Sequence, residues 1–182
     1  MTADDGHFHA MIEGTAAQWQ VIAEGDRAYA LDLPERMLTH LEMLAGSRHG
    51  FAIDRLDHCL QSATRALEDG RDEQYAVCAL LHDIGDVLAP ADHADFAALV
   101  LRPFVSEQNH WMIRYHGIFQ GYYFNQHFGM DRDAREALRD HPWFDYTAEF
   151  CDLYDQCAFD PGYCSLGLAD VAPMLRRVLT LR

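Results

Sequence analysis

Apolar residues recur three or four positions apart along most of the chain, a spacing that predicts helices throughout. Trp19, Ile22 and Ala23 mark a helix from Thr15 to about Tyr29, and Met37, Leu41 and Leu44 mark a second from Pro34 to Leu44, with Pro34 suited to a first turn. Gly46, Ser47 and Gly50 break the pattern. From Asp54 onward Leu56, Leu60, Ala63 and Leu67 share one face until Gly70 ends the run. Glu73 to Leu88 is apolar almost all round, which predicts a central buried helix carrying His82 and Asp83 near its end.

Pro90 interrupts the pattern, and Asp92 to Leu101 then reads as a helix that Pro103 closes. An aromatic-rich helix is expected from Ser106 to Phe128, a short polar one around Arg132 to Arg139, and two more from about Tyr146 to Cys157 and from Leu168 to Leu179. No segment alternates as a strand would, and no repeat or linker stands out. The expected class is all-α.

Composition narrows the chemistry. At 182 residues, 49% apolar and 24% charged, the chain suits one globular domain, and no apolar run approaches the roughly 20 residues of a membrane span. Met1 to Gly14 shows neither a basic nor an apolar leader, so a cytoplasmic protein is expected. The 14 basic residues are all arginine against 29 acids, a net charge of −15, which argues against nucleic-acid and anionic-membrane partners. Without a lysine there is no Schiff base, no lysine general base and no P-loop clamp. Five cysteines, with no C-x-x-C pair, suggest neither a disulfide framework nor a zinc ribbon, so most are expected in the core.

A His-Asp dipeptide at a helix end is ordinarily a solvated turn, but His82 and Asp83 sit in the string Leu80-Leu81-His82-Asp83-Ile84-Gly85, at the end of a buried helix. Burying an imidazole and a carboxylate is costly unless a metal or counter-ion satisfies them. A second histidine, His58, lies 82 − 58 = 24 residues upstream on another helix, and an acidic helix follows far downstream.

This H…HD…D order resembles the HD-domain metal pattern, over roughly Arg55 to Asp155. The resemblance implies a single HD-domain helical bundle over 1–182: leading helices in 1–50, a metal-binding core in 51–158 and a C-terminal helix in 159–182. HD-domain proteins are metalloenzymes, mostly phosphohydrolases. One subgroup, the mixed-valent diiron oxygenases, includes inositol oxygenase and the phosphonate-cleaving oxygenases, and has two further histidines that bind a second iron. His93 and His116 occupy those slots. Asp57-His58-Cys59-Leu60-Gln61 resembles the string around the first ligand of the phosphonate oxygenases, and Met112-Ile113-Arg114-Tyr115-His116 the stretch around the last histidine of inositol oxygenase. Glu13-Gly14-Thr15, Trp19 to Ile22 and Gly117 to Phe124 look most like the oxygenases acting on 1-hydroxy-2-(trimethylammonio)ethylphosphonate.

The resemblance implies that His58, His82 and a last aspartate hold one iron, that His93 and His116 hold the other, and that Asp83 bridges them. Asp152 and Asp155 share a helix face, so spacing alone does not choose between them. Asp155 is preferred because it matches the phosphonate oxygenases. The implied reaction uses O2 to oxidise a 1-hydroxyphosphonate, cleaving the C–P bond to give a carboxylate and phosphate. Candidate residues around the substrate are Gln61, Arg65, Gln120, Tyr123 and Arg114, with Trp111, Tyr115 or Tyr122 facing a quaternary ammonium. His40, His110, His127 and His141 read as structural or exposed.

Two departures bear on the substrate. Asp86 stands where inositol oxygenase has a lysine, and Arg48, Phe51 and Gln120 stand where the aminoethylphosphonate oxygenases have Tyr, Glu and Lys. An acidic, lysine-free chain then favours a small zwitterionic or anionic substrate. The alternatives are an HD-type phosphohydrolase of a nucleotide or small phosphomonoester, and a metal-stabilised helical scaffold.

Overall fold

The computed structural model describes residues 8–46 and 48–180; the leader reading at Met1 to His7 and the breaker at Ser47 fall outside them. All regular elements among the described residues are helical: α1 (Ala16–Leu31), α2 (Leu33–Glu42), α3 (Arg55–Glu68), α4 (Glu73–Leu81), α5 (His93–Leu101), α6 (Glu107–Phe124), α7 (Phe144–Phe150) and α8 (Leu168–Val178). Short 3-10 turns cover Met11–Glu13, Asn125–Phe128 and Ala134–Leu138, and α7 runs on into a π-helical turn, Cys151–Asp155. The protein is all-α.

Local chemistry sets the helix starts. Asp54, Asp72 and Ser106 each accept a hydrogen bond from the backbone N–H three residues on, capping α3, α4 and α6. Gly70 closes the α3–α4 connection at φ +80°, a conformation only glycine adopts freely. α4 is the centre of the core: Tyr75 to Leu81 are all buried, and the helix packs chiefly on α3 and also on α8 and α6. Each such aliphatic side chain contributes about 1.5–3 kcal/mol by leaving water. Cys59, Cys78 and Cys151 are buried in that core.

Several boundaries depart from the sequence reading. α4 stops at Leu81, not Leu88, and the chain continues in tight turns closed by Ile84 N–H to Leu81 O and Asp86 N–H to Asp83 O. Val87 and Leu88, which extended the apolar pattern, are exposed. α6 ends at Phe124, and the expected helix around Arg132 to Arg139 is a 3-10 segment.

Candidate metal centre

Six side chains from five segments meet beside α4. His58 lies on the buried face of α3, His82 and Asp83 follow the last residue of α4, His93 opens α5, His116 lies midway along α6, and Asp155 ends the π-helical turn. All except His93 are buried. Asp83 stands between two histidine pairs. Its Oδ2 lies 3.5 Å from Nε2 of both His58 and His82, and its Oδ1 lies 3.5 Å from His93 Nε2 and 3.4 Å from His116 Nε2. Asp155 Oδ1 closes the first pair, 3.3 Å from His58 Nε2 and 3.6 Å from His82 Nε2.

Three of the imidazoles have their tautomer set by the backbone. Nδ1–H of His58 donates to Ala158 O at 2.9 Å, that of His82 to Ala79 O at 2.7 Å, and that of His116 to Ile113 O at 2.6 Å. A carbonyl oxygen only accepts, so each Nδ1 carries a proton and each ring turns its Nε2 inward, the atom that bears the lone pair whenever a ring is neutral. His58 and His82 then bring their Nε2 atoms to 3.0 Å, and His93 and His116 bring theirs to 3.2 Å. Lone pairs so placed repel unless a proton or a cation lies between them. Asp155 Oδ2 is also buried with no hydrogen-bond partner.

These residues fit a metal. Ligand atoms on one ion with bonds of about 2.1 Å stand about 3.0–3.4 Å apart, close to the 3.0–3.6 Å found here. The triads His58/His82/Asp155, His82/Asp83/His116 and Asp83/Asp86/His93 each offer atoms lying within 4.8 Å of one another, so the cluster could hold a metal ion. The electrostatics agree. Burial opposes charge on His82, but the Asp83 and Asp155 carboxylates outweigh it and raise its pKa to about 9. Burial likewise opposes charge on both aspartates, yet His82 with its neighbouring imidazoles holds Asp83 and Asp155 below the usual carboxylate range.

The surroundings explain how the sequence holds this geometry. The π-helical turn, closed by Gln156 N–H to Cys151 O, directs Asp155 into the cluster and leaves Asp152 exposed, where its Oδ1 accepts from Tyr123 OH at 3.1 Å. Gln61 anchors the following loop, donating to Asp160 O at 2.7 Å and accepting from Asp160 N–H at 3.3 Å. That loop delivers Ala158 O to His58 and stacks Phe159 on its ring, with centroids 4.2 Å apart. Gly85 lets the turn after α4 approach α5: a Cβ there would lie 2.7 Å from both Cα and O of His93.

A cavity of about 550 Å³ opens over the second histidine pair, lined by Asp83, His93, His116, Gly117, Asp155 and Gln120, with Phe51, Tyr123, Phe124, Phe128 and Phe159 as aromatic walls. Of the candidate substrate residues, Gln120 and Tyr123 line this cavity, and Gln120 Nε2 donates to Asp155 Oδ1 at 2.9 Å. The others do not. Gln61 supports the loop behind His58, Arg65 lies over Tyr163, and Arg114 pairs with Asp95 at the surface. Trp111 stacks on His141 and packs at a tilt on Tyr115, and Tyr122 lies under Arg132 and Arg135, so these rings are committed elsewhere.

The cavity also takes in residues the sequence reading passed over, Arg55, Phe159 and Gln156, together with His127, which was read as structural or exposed and stands exposed at the rim. Asp86, noted there only as a departure from the lysine pattern, lies beside them, 2.8 Å from Arg55. Arg55 had a signal, since it sits three residues before His58, one turn back on the same helix face. No family model matches the sequence, and no curated protein is significantly similar to it. What fold and site define is an all-helical protein with a buried His/Asp cluster able to hold a metal ion. None of the helices among the described residues is long and apolar enough to cross a membrane.

Proposed function

We propose that the chain is an HD-domain mixed-valent diiron oxygenase that oxidises a 1-hydroxyphosphonate bearing a quaternary ammonium group. One O2 converts the carbinol carbon to a carboxylate as the C–P bond breaks, and hydrogenphosphate and one proton complete the balance. The observation that carries this reading is the carboxylate of Asp83, whose two oxygens face two separate histidine pairs. A single-ion site has no use for the second pair. Two irons held by these residues would supply the oxygen-activating redox chemistry.

The chain's own part is to bind, orient and exclude water. His58, His82 and Asp155 would hold one iron and His93 and His116 the other, with Asp83 facing both pairs. Gln120 orients the Asp155 carboxylate. The faces of Tyr123, Phe124 and Phe128 suit a quaternary ammonium, and the carboxylates nearby and the −15 charge favour a cationic group.

Protein loaded with iron and partly reduced should give a mixed-valent EPR signal that changes when hydroxyphosphonates are added. Oxygen uptake and phosphate release should then rise together with the right substrate. A mononuclear, unresponsive spectrum would sink the oxygenase reading, and phosphate release that continues without oxygen would favour the phosphohydrolase.

A further inference from the structure

Arg55 is the one arginine among the residues lining the cavity, and the chain has no lysine. Its Nη1 lies 3.3 Å from Asp83 Oδ2 and its Nε 2.8 Å from Asp86 Oδ2. These are ion-pair contacts off the N–H lines: the buried Nε–H has no aligned acceptor, and none of the hydrogen bonds among the described residues uses the guanidinium. Both carboxylates have other partners. Asp83 Oδ2 also faces His58 and His82 at 3.5 Å, and the other oxygen of Asp86 lies 3.6 Å from His93 Nδ1. The Phe51 ring, with its centroid 4.9 Å from Arg55 Cζ, stacks on Phe159 and limits how far the side chain can swing.

A planar guanidinium with unspent donors, shielded by aromatic rings and set against the carboxylate between two candidate metal positions, has the chemistry of an oxyanion receptor. We propose that Arg55 is the anion-binding residue of the cavity, taking two oxygens of a phosphonate or phosphate group on its guanidinium fork beside Asp83. The choice of phosphonate rests on the function proposed above; the anion site itself does not. It also gives the cavity a direction. The anion lies toward α3, and the apolar or cationic end of the ligand lies toward Phe124 and Phe128.

The test is calorimetric titration of methylphosphonate and of inorganic phosphate into the full-length, iron-loaded protein under nitrogen, where no turnover occurs. Metal content and melting curve are recorded for every variant. Arg55→Gln should weaken both anions about tenfold or more, the loss expected for charge-assisted hydrogen bonds. Arg55→Lys, which keeps the charge and the ion pairs but not the fork, should weaken them several-fold, whereas Arg139→Gln, remote and paired with Glu136, should bind as the parent does. The Lys variant decides the matter where the Gln variant does not fold or loses metal. Wild-type affinity in Arg55→Lys, or no binding of either anion by the parent, overturns the proposal. Binding that depends on Arg55 in a protein that never consumes oxygen would leave this site standing and remove only the oxygenase reading.

Discussion

At the scale of single residues, the cluster is a competition between protons and cations for the same lone pairs. In the metal-free chain the folded pKa of His82 is raised to about 9 from an ordinary 6.5. Its contribution to stability is therefore complete below about pH 6.5 and is lost as pH rises through 9. Asp83 and Asp155 are depressed below 3.8, so theirs is present above about pH 4 and is lost as pH falls further. Metal-free protein should melt highest between about pH 4 and 6.5. A bound metal replaces the proton on His82, so affinity should rise toward pH 9 and the gap between loaded and metal-free melting temperatures should widen. Melting curves from pH 4 to 9 with and without chelator check this, and a gap that narrows above pH 7 would contradict it. The two aspartates of the π-helical turn give a second prediction. Asp155→Asn should lose metal because it removes a charged donor facing His58 and His82, whereas Asp152→Asn, exposed and bonded to Tyr123, should keep the full complement. Metal analysis of the two variants separates them, and the reverse pattern would exclude Asp155 as a ligand.

Among the elements, the turn between α4 and α5 shows what the hydrophobic pattern reveals and what it hides. The all-round apolar run from Tyr75 to Leu81 was legible as a buried helix, and His82 and Asp83 as its unusual end. The stopping point was not legible, because Ile84, Val87 and Leu88 continue the period while only Ile84 is buried. Periodicity reports which residues are apolar, not where the backbone leaves the helix. The π-helical turn escaped for a related reason: an i→i−5 bond leaves no mark in composition, so spacing left Asp152 and Asp155 equivalent and only the resemblance favoured Asp155 before the backbone separated them. Of the aromatic candidates on α6, Tyr123 lines the cavity while Trp111, Tyr115 and Tyr122 lie outside it, because one helix carries rings on every face and these three have other partners. Gly85 makes the turn testable. Its missing Cβ is occupied by backbone of His93, which can give way only if α5 shifts. Gly85→Ala should destabilise the protein by about 1–3 kcal/mol and lower metal binding at the His93/His116 pair. Urea unfolding and metal analysis would show it, and a variant with parental stability and metal content would mean that α5 is not held by this contact.

The whole molecule depends on the cluster because its donors come from segments far apart in the chain. α3, the turn after α4, α5, α6 and the π-helical turn each contribute, so one filled site ties together five pieces that otherwise meet through apolar packing. The exposed arginine pairs Glu35–Arg176 and Glu73–Arg177, which link α2 and α4 to α8, do little by comparison, because solvent screens them. α1 stands apart. It packs on α2, and most of its side chains are exposed, with Gln18 buried and Trp19, Ile22 and Ala30 half-buried. Metal loading should therefore stabilise the core and leave α1 unchanged. With free metal at 100 times its dissociation constant the gain is about 2.7 kcal/mol, or a rise in melting temperature of roughly 5–10 °C for a chain of this size. Hydrogen exchange with and without chelator should lose protection in α3, in α6 and in residues 151–155 together, because one constraint holds all three. Exchange in α1 should not move. Loss of protection confined to α5 and α6 would mean that only the His93/His116 pair binds metal, and an unchanged profile throughout would mean that protons and not a metal hold each histidine pair together.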